Sequence, residues 1–199
     1  MVCPEPAPRF SCWDGTWHNT SRPYDLRQIL EETKEASYEG AEVGAPLEFL
    51  GPAESLKVLL QEVGLELATI VVPTLAPDAR QRVDYAAEFS VKVLMVGGGS
   101  RPEGRAIEPA DMEPYAKALR DLAAYASQYG MALAQHTHPH SISGTIEEVE
   151  MLLDLVPEEV GICADVAHLL QAGSDPVQTI HRLGARMKHL HLKDYKTKT

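Results

Sequence analysis

The chain has 199 residues, of which 44% are hydrophobic and 24% are charged, a balance typical of one globular domain with a sizeable core. Its formal net charge of −11 argues against a nucleic-acid partner, which needs clustered lysine and arginine, and against an anionic membrane surface. Its apolar runs are far shorter than the roughly 18 residues of a membrane-spanning helix. We therefore expect a single domain over residues 1–199.

Two features of the chain bear on its cellular compartment. Residues 1–9 are rich in proline and lack the basic and apolar regions of a signal peptide. The three cysteines, Cys3, Cys12 and Cys163, cannot all pair with one another, and they lack the spacing of a metal site. Free thiols are typical of a reducing compartment, so we predict a cytoplasmic protein.

Short apolar runs alternate with amphipathic segments at intervals of about 25 to 35 residues, which is the period of a βαβ unit. We predict seven strands, which lie within residues 10–13, 38–44, 65–72, 91–96, 131–136, 160–168 and 187–194. We predict six helices, which lie at residues 25–37, 53–63, 78–89, 109–129, 145–155 and 175–183. Gly64 is expected to end the second helix as its C-cap.

Alternating strands and helices are typical of an α/β protein with either a doubly wound sheet or a barrel. In an open sheet the ligand crevice lies mainly at one switch point, whereas in a barrel every strand end faces one mouth. Polar residues follow or end four different predicted strands, which favours the barrel. These residues are Glu42, His136, His138, Asp165 and His191.

The runs 160–168 and 187–194 both end in ionisable residues, and the predicted helix between them makes their strands parallel. Alternation along the second strand directs His189, His191 and Lys193 to one face. Both faces of a parallel strand are normally apolar, so polar groups there indicate a pocket or a metal. The alternative is a strand tip exposed to solvent. The side chains expected to converge are Asp165, His168, His191, Lys193 and Asp194.

Imidazole and carboxylate together form a ligand set suited to Mn, Co, Zn or Fe(II). We therefore predict that Asp165 and His191 bind a divalent metal. Each histidine also has a plainer interpretation as a capped or solvent-facing loop residue. For Glu42, capping of the next helix is as good an explanation as a functional role at the mouth.

Two loops hold further candidates for contact with a substrate. The run Gly97–Gly99 lacks the lysine of a P-loop and the spacing of a dinucleotide fingerprint, so we predict a flexible loop near the mouth. Arg101 beside it is a candidate to meet an anionic group, or else a solvated loop residue. Trp17 is a candidate wall for a sugar ring, or else an ordinary core tryptophan.

Three motifs in order along the chain resemble the xylose isomerase-like sugar phosphate isomerase/epimerase superfamily. Asp165-Val-Ala-His168 resembles its Asp-x-x-His, Gly173-Ser-Asp-Pro176 its Gly-x-Asp-Pro, and His191-Leu-Lys-Asp194 its His-x-Lys-Asp. Residues 38–42 resemble the second strand of the family. The segment His136-Thr-His138, followed by Gly144 and Thr145, is similar to the inosose dehydratase branch, where a His-x-His replaces a Glu-x-Asn/His pair.

This resemblance implies a (β/α)8-type TIM barrel that binds one divalent metal, namely Mn, Co, Zn or Mg. It implies that Asp165 and His191 are metal ligands and that His136 stands where many members have a liganding glutamate. It further implies that the eighth βα unit, with its glutamate ligand, is missing, so that the barrel is incomplete. Either the chain is then a fragment, or another chain, such as a second copy in a homo-oligomer, covers the open edge.

The function that we expect is a metal-dependent sugar isomerase or epimerase, or an inosose dehydratase-like lyase of inositol metabolism. A small polyhydroxy carbonyl substrate, a sugar or an inosose, would lose a proton beside a carbonyl that the metal holds. The expected catalytic residues are Glu42 as base, His168 as acid, and Lys193. The expected substrate-binding residues are Trp17, His138 and Arg101, and His136 is expected to be a metal ligand together with Asp165 and His191.

Two other classes of function remain open from the sequence. One is a metal phosphoesterase of the endonuclease type, which uses the same barrel, although a net charge of −11 counts against a nucleic-acid substrate. The other is a non-catalytic barrel remnant, which would fold without binding a metal.

Overall fold

The computed structural model describes residues 11–13 and 25–195. Seven parallel strands form one sheet in sequence order, and the chain returns between strands through helices. The strands are β1 Ser11–Trp13, β2 Gly40–Val43, β3 Glu66–Pro73, β4 Val93–Gly97, β5 Ala132–His136, β6 Val160–Asp165 and β7 Met187–His191. The α-helices are α1 Leu26–Glu35, α2 Leu47–Leu50, α3 Ala53–Val63, α4 Ala79–Ala87, α5 Pro109–Ala126, α6 Ile146–Leu153, α7 Val166–Gln171 and α8 Pro176–Leu183.

The sheet is strongly curled, as a contact between β2 and β7 demonstrates. These strands stand five places apart in the sheet, so a flat sheet would separate them by roughly 24 Å at the usual strand spacing. Instead Glu42 Oε2 on β2 lies 2.9 Å from His189 Nε2 on β7. The predicted α/β fold, an incomplete TIM barrel, is therefore confirmed. Within residues 11–13 and 25–195, β1 and β7 are the two edges of the sheet.

Alternate residues of the strands pack on opposite sides of the curled sheet. Leu94, Leu133 and Ile162 face outward and pack in the apolar layers beneath the helices. Met95, Ala134 and Cys163 face inward and form a small buried cluster inside the barrel. The interior is thus filled by small and medium side chains below the mouth, which leaves the ends of the strands to carry polar groups.

Local signals explain where most of the helices begin and end. Thr145 and Glu148 form a reciprocal capping box at the start of α6, and Asp175 accepts from the N–H of Gln178 at the start of α8. Gly64 has a φ of 78° and ends α3, as the sequence predicted. The helix predicted at residues 109–129 is α5, and the last three predicted residues, Ser127–Tyr129, form a short 3₁₀ turn before Gly130.

Two helices of the structure differ from the predicted elements. The helix α2, Leu47–Leu50, has four residues, and α7, Val166–Gln171, has six, so neither is long enough for a hydrophobic period to reveal it. The second one changes the prediction for the run 160–168. The strand ends at Asp165, which is the N-cap of α7, and His168 lies in this helix rather than on the strand.

In the part of the chain that the structure describes, no helix is both long and apolar enough to span a bilayer.

Packing around two strand glycines, Gly161 and Gly97, predicts that replacement by alanine will destabilise the protein at the first position and not at the second. A Cβ at Gly161 on β6 would meet the backbone oxygen of Arg186 and Cγ of Lys188, whereas a Cβ at Gly97 on β4 would have no heavy atom within 4 Å. Gly161→Ala is therefore expected to lower the free energy of unfolding by about 1–3 kcal/mol through overpacking against β7. Gly97→Ala should change it by less than about 0.5 kcal/mol. Urea unfolding of both variants measures the difference, and equal effects would contradict the packing.

Candidate metal centre

Three strands end in residues with metal-ligating side chains. His136 is the last residue of β5, Asp165 of β6 and His191 of β7. The strands are parallel, and Asp165 stands opposite His191 in the register between β6 and β7. Since the carboxyl ends of parallel strands meet at one mouth of a barrel, the three side chains lie together.

The nearest polar atoms of these side chains form a compact triangle. His136 Nε2 lies 3.2 Å from Asp165 Oδ2, and His191 Nδ1 lies 3.2 Å from His136 Nε2. The third side, from His191 Nδ1 to Asp165 Oδ2, is 3.5 Å. Two ligands that bind one tetrahedral ion at about 2.1 Å stand roughly 3.4 Å apart. The donor set and its spacing therefore fit one face of the coordination shell of a divalent ion.

Asp165 is the best-connected member of the triangle and is fully buried. Its Oδ1 accepts from the backbone N–H of His168 at 3.1 Å, and its backbone N–H donates to Thr137 Oγ1 at 2.9 Å. Lys193 Nζ lies 2.6 Å from Oδ2. Burial alone would raise the pKa of Asp165, but hydrogen bonds from His136, His191 and Lys193 hold this pKa well below its usual range. The carboxylate is consequently ionised and ready to bind a cation.

His191 is held between two carboxylates. Its Nδ1 faces Asp165, and its Nε2 lies 3.1 Å from Oε1 of Glu42. Burial alone would lower the pKa of His191, but the contacts with Asp165, Cys163 and Glu42 raise it to about 12. A metal binds only the neutral ring, so a cation in the triangle would displace a proton from Nδ1.

His136 has the opposite tendency. Burial lowers its pKa to about 4 despite the hydrogen bond with Asp165. The atom that faces Asp165 and His191 is Nε2, and the neutral imidazole is the form in which histidine binds metals. A metal in the triangle would take the place of the hydrogen bond between Nε2 and Asp165.

His168 and Lys193 lie beside the triangle at the mouth. Nδ1 of His168 donates to the backbone oxygen of Thr137 at 2.9 Å, because a carbonyl oxygen only accepts. In the neutral ring this contact places the lone pair on Nε2. The side chain of His168 is 19% exposed and that of Lys193 is 34% exposed, so both border the opening rather than the core.

A cavity of about 430 Å³ opens next to the triangle, between the loops that follow β4 and β5. His136 links the two, since it belongs to the triangle and also lines the cavity. The other lining residues are Gly97, Gly98, Gly99, Ser100, Arg101, His138, His140 and Ser141. Its size suits a small-molecule ligand with several polar groups.

Two residues predicted to meet a substrate, Arg101 and His138, line this cavity. The guanidinium of Arg101 binds both carboxylate oxygens of Glu148, so it also fastens the loop after β4 to the start of α6. The ring of His138 packs edge-on against that of His168, with centroids 4.5 Å apart. The third predicted residue, Trp17, lies outside the described residues, as does the loop that carries it.

The structure assembles His136, Asp165, His168, His191 and Lys193 as one group, and it places Glu42 beneath them. Glu42 is 2% exposed, and its two oxygens meet His191 and His189. The sequence did not single out His189 as a site residue, although alternation along β7 placed it on the same face as His191. Thr137 accepts hydrogen bonds from the backbone of Asp165 and from the ring of His168. No pattern in the sequence indicated this role.

Comparison with known proteins gives a consistent result. The family model described as xylose isomerase-like TIM barrel matches residues 30–199. The chain is 29% identical over 207 residues to an inosose dehydratase of Geobacillus kaustophilus (strain HTA426), covering 90% of this chain and 67% of that protein. It is 31% identical over 206 residues to the rhizopine catabolism protein MocC of Rhizobium meliloti, covering 90% and 62%. The chain thus spans about two thirds of the length of these relatives.

Solved structures share the fold at lower identity. The probable 3-DHS dehydratase AsbF of Bacillus anthracis has a TM-score of 0.76 at 19% identity, covering 94% of this chain and 73% of that one. The IOLI protein, solved with a zinc atom, has a TM-score of 0.72 at 18% identity, covering 92% and 72%.

Proposed function

Because this chain belongs to the xylose isomerase-like TIM barrel family, we propose that it is a divalent-metal-dependent enzyme that acts on a small polyhydroxy carbonyl compound. The activity is that of an inosose dehydratase-like lyase, or of a sugar isomerase or epimerase. The observation that carries this proposal is the triangle of His136, Asp165 and His191 at the mouth, with Lys193 and His168 beside it. The similarity to an inosose dehydratase supports an inosose as the first substrate to test.

His136, Asp165 and His191 would hold the metal. A bound divalent ion supplies a Lewis acid that polarises a carbonyl and favours loss of a proton from the neighbouring carbon. Two imidazoles and one carboxylate suit Mn, Co or Zn better than Mg, which prefers oxygen ligands and retains its waters. We therefore expect Mn, Co or Zn to be bound more tightly than Mg.

Lys193 is the electrostatic partner at the mouth. Its ammonium lies 2.6 Å from Asp165 Oδ2, and its side chain is partly exposed. A positive charge fixed at this point stabilises the negative charge that develops on the substrate when it loses a proton. The ion pair with Asp165 also keeps the flexible lysine side chain in place before the substrate binds.

His168 is suited to move the proton. Since its Nδ1 donates to the Thr137 oxygen, Nε2 of the neutral ring can accept a proton, and the ring borders the mouth. In a dehydration, Nε2 takes the proton from the carbon beside the carbonyl. It then returns this proton to the hydroxyl that leaves the next carbon, so the products are water and an unsaturated ketone. In an epimerisation a proton returns to the same carbon from the opposite face, and in an isomerisation it returns to the neighbouring carbon.

Glu42, the base expected from the sequence, is the other candidate for this step. Its carboxylate is buried and bonded at both oxygens. Burial alone would raise its pKa, but hydrogen bonds from His189 and His191 lower it to about 2. A carboxylate in this state is a weak proton acceptor, so the geometry favours His168.

Exchange of His168 for glutamine is expected to lower kcat by roughly 10²–10⁴-fold, because a positioned proton-transfer group contributes about that much. The metal affinity should stay unchanged, since His168 is not part of the triangle. His181→Gln is the matched control, because this histidine is exposed on α8. Steady-state kinetics and calorimetric metal titration measure the two quantities. A loss of metal affinity in the His168 variant would contradict the assignment.

The reaction itself can be tested with the metal-loaded protein. We expect loss of an inosose with Mn or Co present, together with the ultraviolet absorbance of an unsaturated ketone. In D₂O, an epimerase or isomerase would instead place deuterium on the carbon beside the carbonyl without loss of water, which mass spectrometry detects. A metal-loaded, folded protein that neither consumes an inosose or sugar nor exchanges the proton would reject the proposal.

A further inference from the structure

We propose that Glu42 is a positioning residue, which together with His189 orients His191 for metal binding, and that it does not accept the substrate proton. This inference rests on the proposed function, because it takes His191 as a ligand of the metal. It concerns a pair of residues one layer below the mouth, at the point where β2 faces β7 across the interior of the barrel.

The first observation is that both oxygens of Glu42 are already engaged. Oε1 lies 3.1 Å from His191 Nε2, and Oε2 lies 2.9 Å from His189 Nε2. Both distances are ordinary for an N–H donor and a carboxylate oxygen. With 2% of its surface exposed, Glu42 has little access to a ligand at the mouth. To act as a base it would have to give up one of these imidazoles in a buried environment.

The second observation is the way in which His191 uses its two nitrogens. Nδ1 faces His136 Nε2 at 3.2 Å and Asp165 Oδ2 at 3.5 Å, which makes it the nitrogen of the metal triangle. Nε2 faces Glu42. A carboxylate only accepts hydrogen bonds, so Glu42 keeps the hydrogen on Nε2. The lone pair of the neutral ring is then on Nδ1, where the metal would bind.

His189 supports this arrangement from the same strand. It lies two residues before His191 on β7, so both rings point into the barrel and reach the same carboxylate. By donating to Oε2, His189 fixes the rotation of the Glu42 carboxylate and thereby the direction in which Oε1 points. A buried carboxylate that orients a liganding histidine is a general feature of metal sites, and its loss typically costs 10–100-fold in metal affinity.

Two other roles would use the same residues. Glu42 would be the base if its substitution lowered turnover and left metal binding intact. Alternatively, the ligating atoms of Glu42, His189 and His191 lie close enough together to hold a second cation. The three roles differ in metal stoichiometry and in affinity, so a binding measurement separates them without any measurement of turnover.

The experiment is a calorimetric titration of EDTA-treated protein with Co²⁺. For the unchanged chain we expect one ion per chain. For Glu42→Gln, which keeps the size of the side chain but replaces one acceptor with a donor, we expect one ion bound about 10–100-fold more weakly. Glu54→Gln on the exposed first turn of α3 is the control and should bind as the unchanged chain does.

Three results would overturn the inference. Glu42→Gln could bind Co²⁺ with unchanged affinity, which would favour the base. The unchanged chain could bind two ions and the variant one, which would favour a second cation site. Glu42→Gln could also weaken binding just as much in a His191→Ala background, which would show that Glu42 does not act through His191. If the unchanged chain binds no ion at all, the proposed function fails instead, and the two failures are therefore distinguishable.

A general loss of structure would not imitate the expected result. Circular dichroism and thermal melting of metal-free Glu42→Gln show whether it folds. His189→Gln provides a second variant, since it leaves the contact between Glu42 and His191 in place and should weaken Co²⁺ binding less than Glu42→Gln. The ¹⁵N shifts of His191 give a direct signature: the hydrogen stays on Nε2 in the metal-loaded unchanged chain, and both tautomers are present in Glu42→Gln.

Discussion

Asp165→Asn is expected to weaken binding of Mn, Co or Zn by roughly 100-fold or more, since loss of a ligand costs at least as much as loss of a residue that orients one. The physical reason is that Oδ2 of Asp165 is the anionic point at which two imidazoles and the ammonium of Lys193 converge. Asparagine keeps the size of the side chain but removes the charge. Turnover should fall with the metal affinity, and calorimetric titration together with steady-state kinetics measures both.

The chain offers a closely matched control for this substitution. Asp175 has the same structural task as Asp165, because each is a helix N-cap whose carboxylate accepts the backbone N–H of the residue three places on. The distances are 3.1 Å for Asp165 and 3.0 Å for Asp175. Only Asp165 also meets the imidazoles. If Asp175→Asn weakened metal binding as much as Asp165→Asn, the loss would come from helix capping and not from a metal ligand.

Much of the architecture could be predicted because its signals are local. Alternating apolar runs and amphipathic segments placed the seven strands and the long helices, and Gly64 marked the end of α3. The convergence of Asp165 with His191 was also predictable, since one βαβ unit makes the two strands parallel neighbours. These inferences need only residues that are close together in the sequence or joined by a single crossover.

The features that could not be predicted depend on the curvature of the sheet. Glu42 and His189 are 147 positions apart and meet only because β2 and β7 face each other across the interior. No periodicity in either strand carries that information. The position of Glu42 at the end of β2 suggested a residue of the mouth, whereas the structure places it below the mouth against two imidazoles.

In the histidine-rich segment after β5, some features could likewise be predicted from the sequence and others could not. Its sequence indicated that some of its imidazoles would face the mouth, and His136 and His138 both line the cavity there. The role of the residue between them was hidden. Thr137 uses its hydroxyl and its backbone oxygen to hold the backbone of Asp165 and the ring of His168. A threonine with such contacts is indistinguishable in sequence from one that only packs.

Lys193→Met should separate catalysis from metal binding, whereas Asp165→Asn lowers both together. The ammonium of Lys193 occupies Asp165 Oδ2 at 2.6 Å and repels a cation in the triangle, so its removal should leave the metal affinity unchanged or raise it. Turnover should nevertheless fall by roughly 10²–10³-fold, which is the usual cost of losing one group that stabilises developing charge. Calorimetric titration and kcat, measured at saturating metal, report the two effects separately.

Lys188→Met is the matched control, because it removes a lysine charge from β7, which ends two residues before Lys193. Methionine retains the apolar stem that packs over Gly161. We expect its kcat and metal affinity to equal those of the unchanged chain. If Lys193→Met lost metal affinity and turnover together, Lys193 would act only by holding Asp165 in place. If turnover were unchanged, the charge that develops on the substrate would be stabilised without the help of this lysine. A fall in turnover without a loss of metal affinity is thus the specific result that a residue facing the substrate, rather than supporting the ligand, should give.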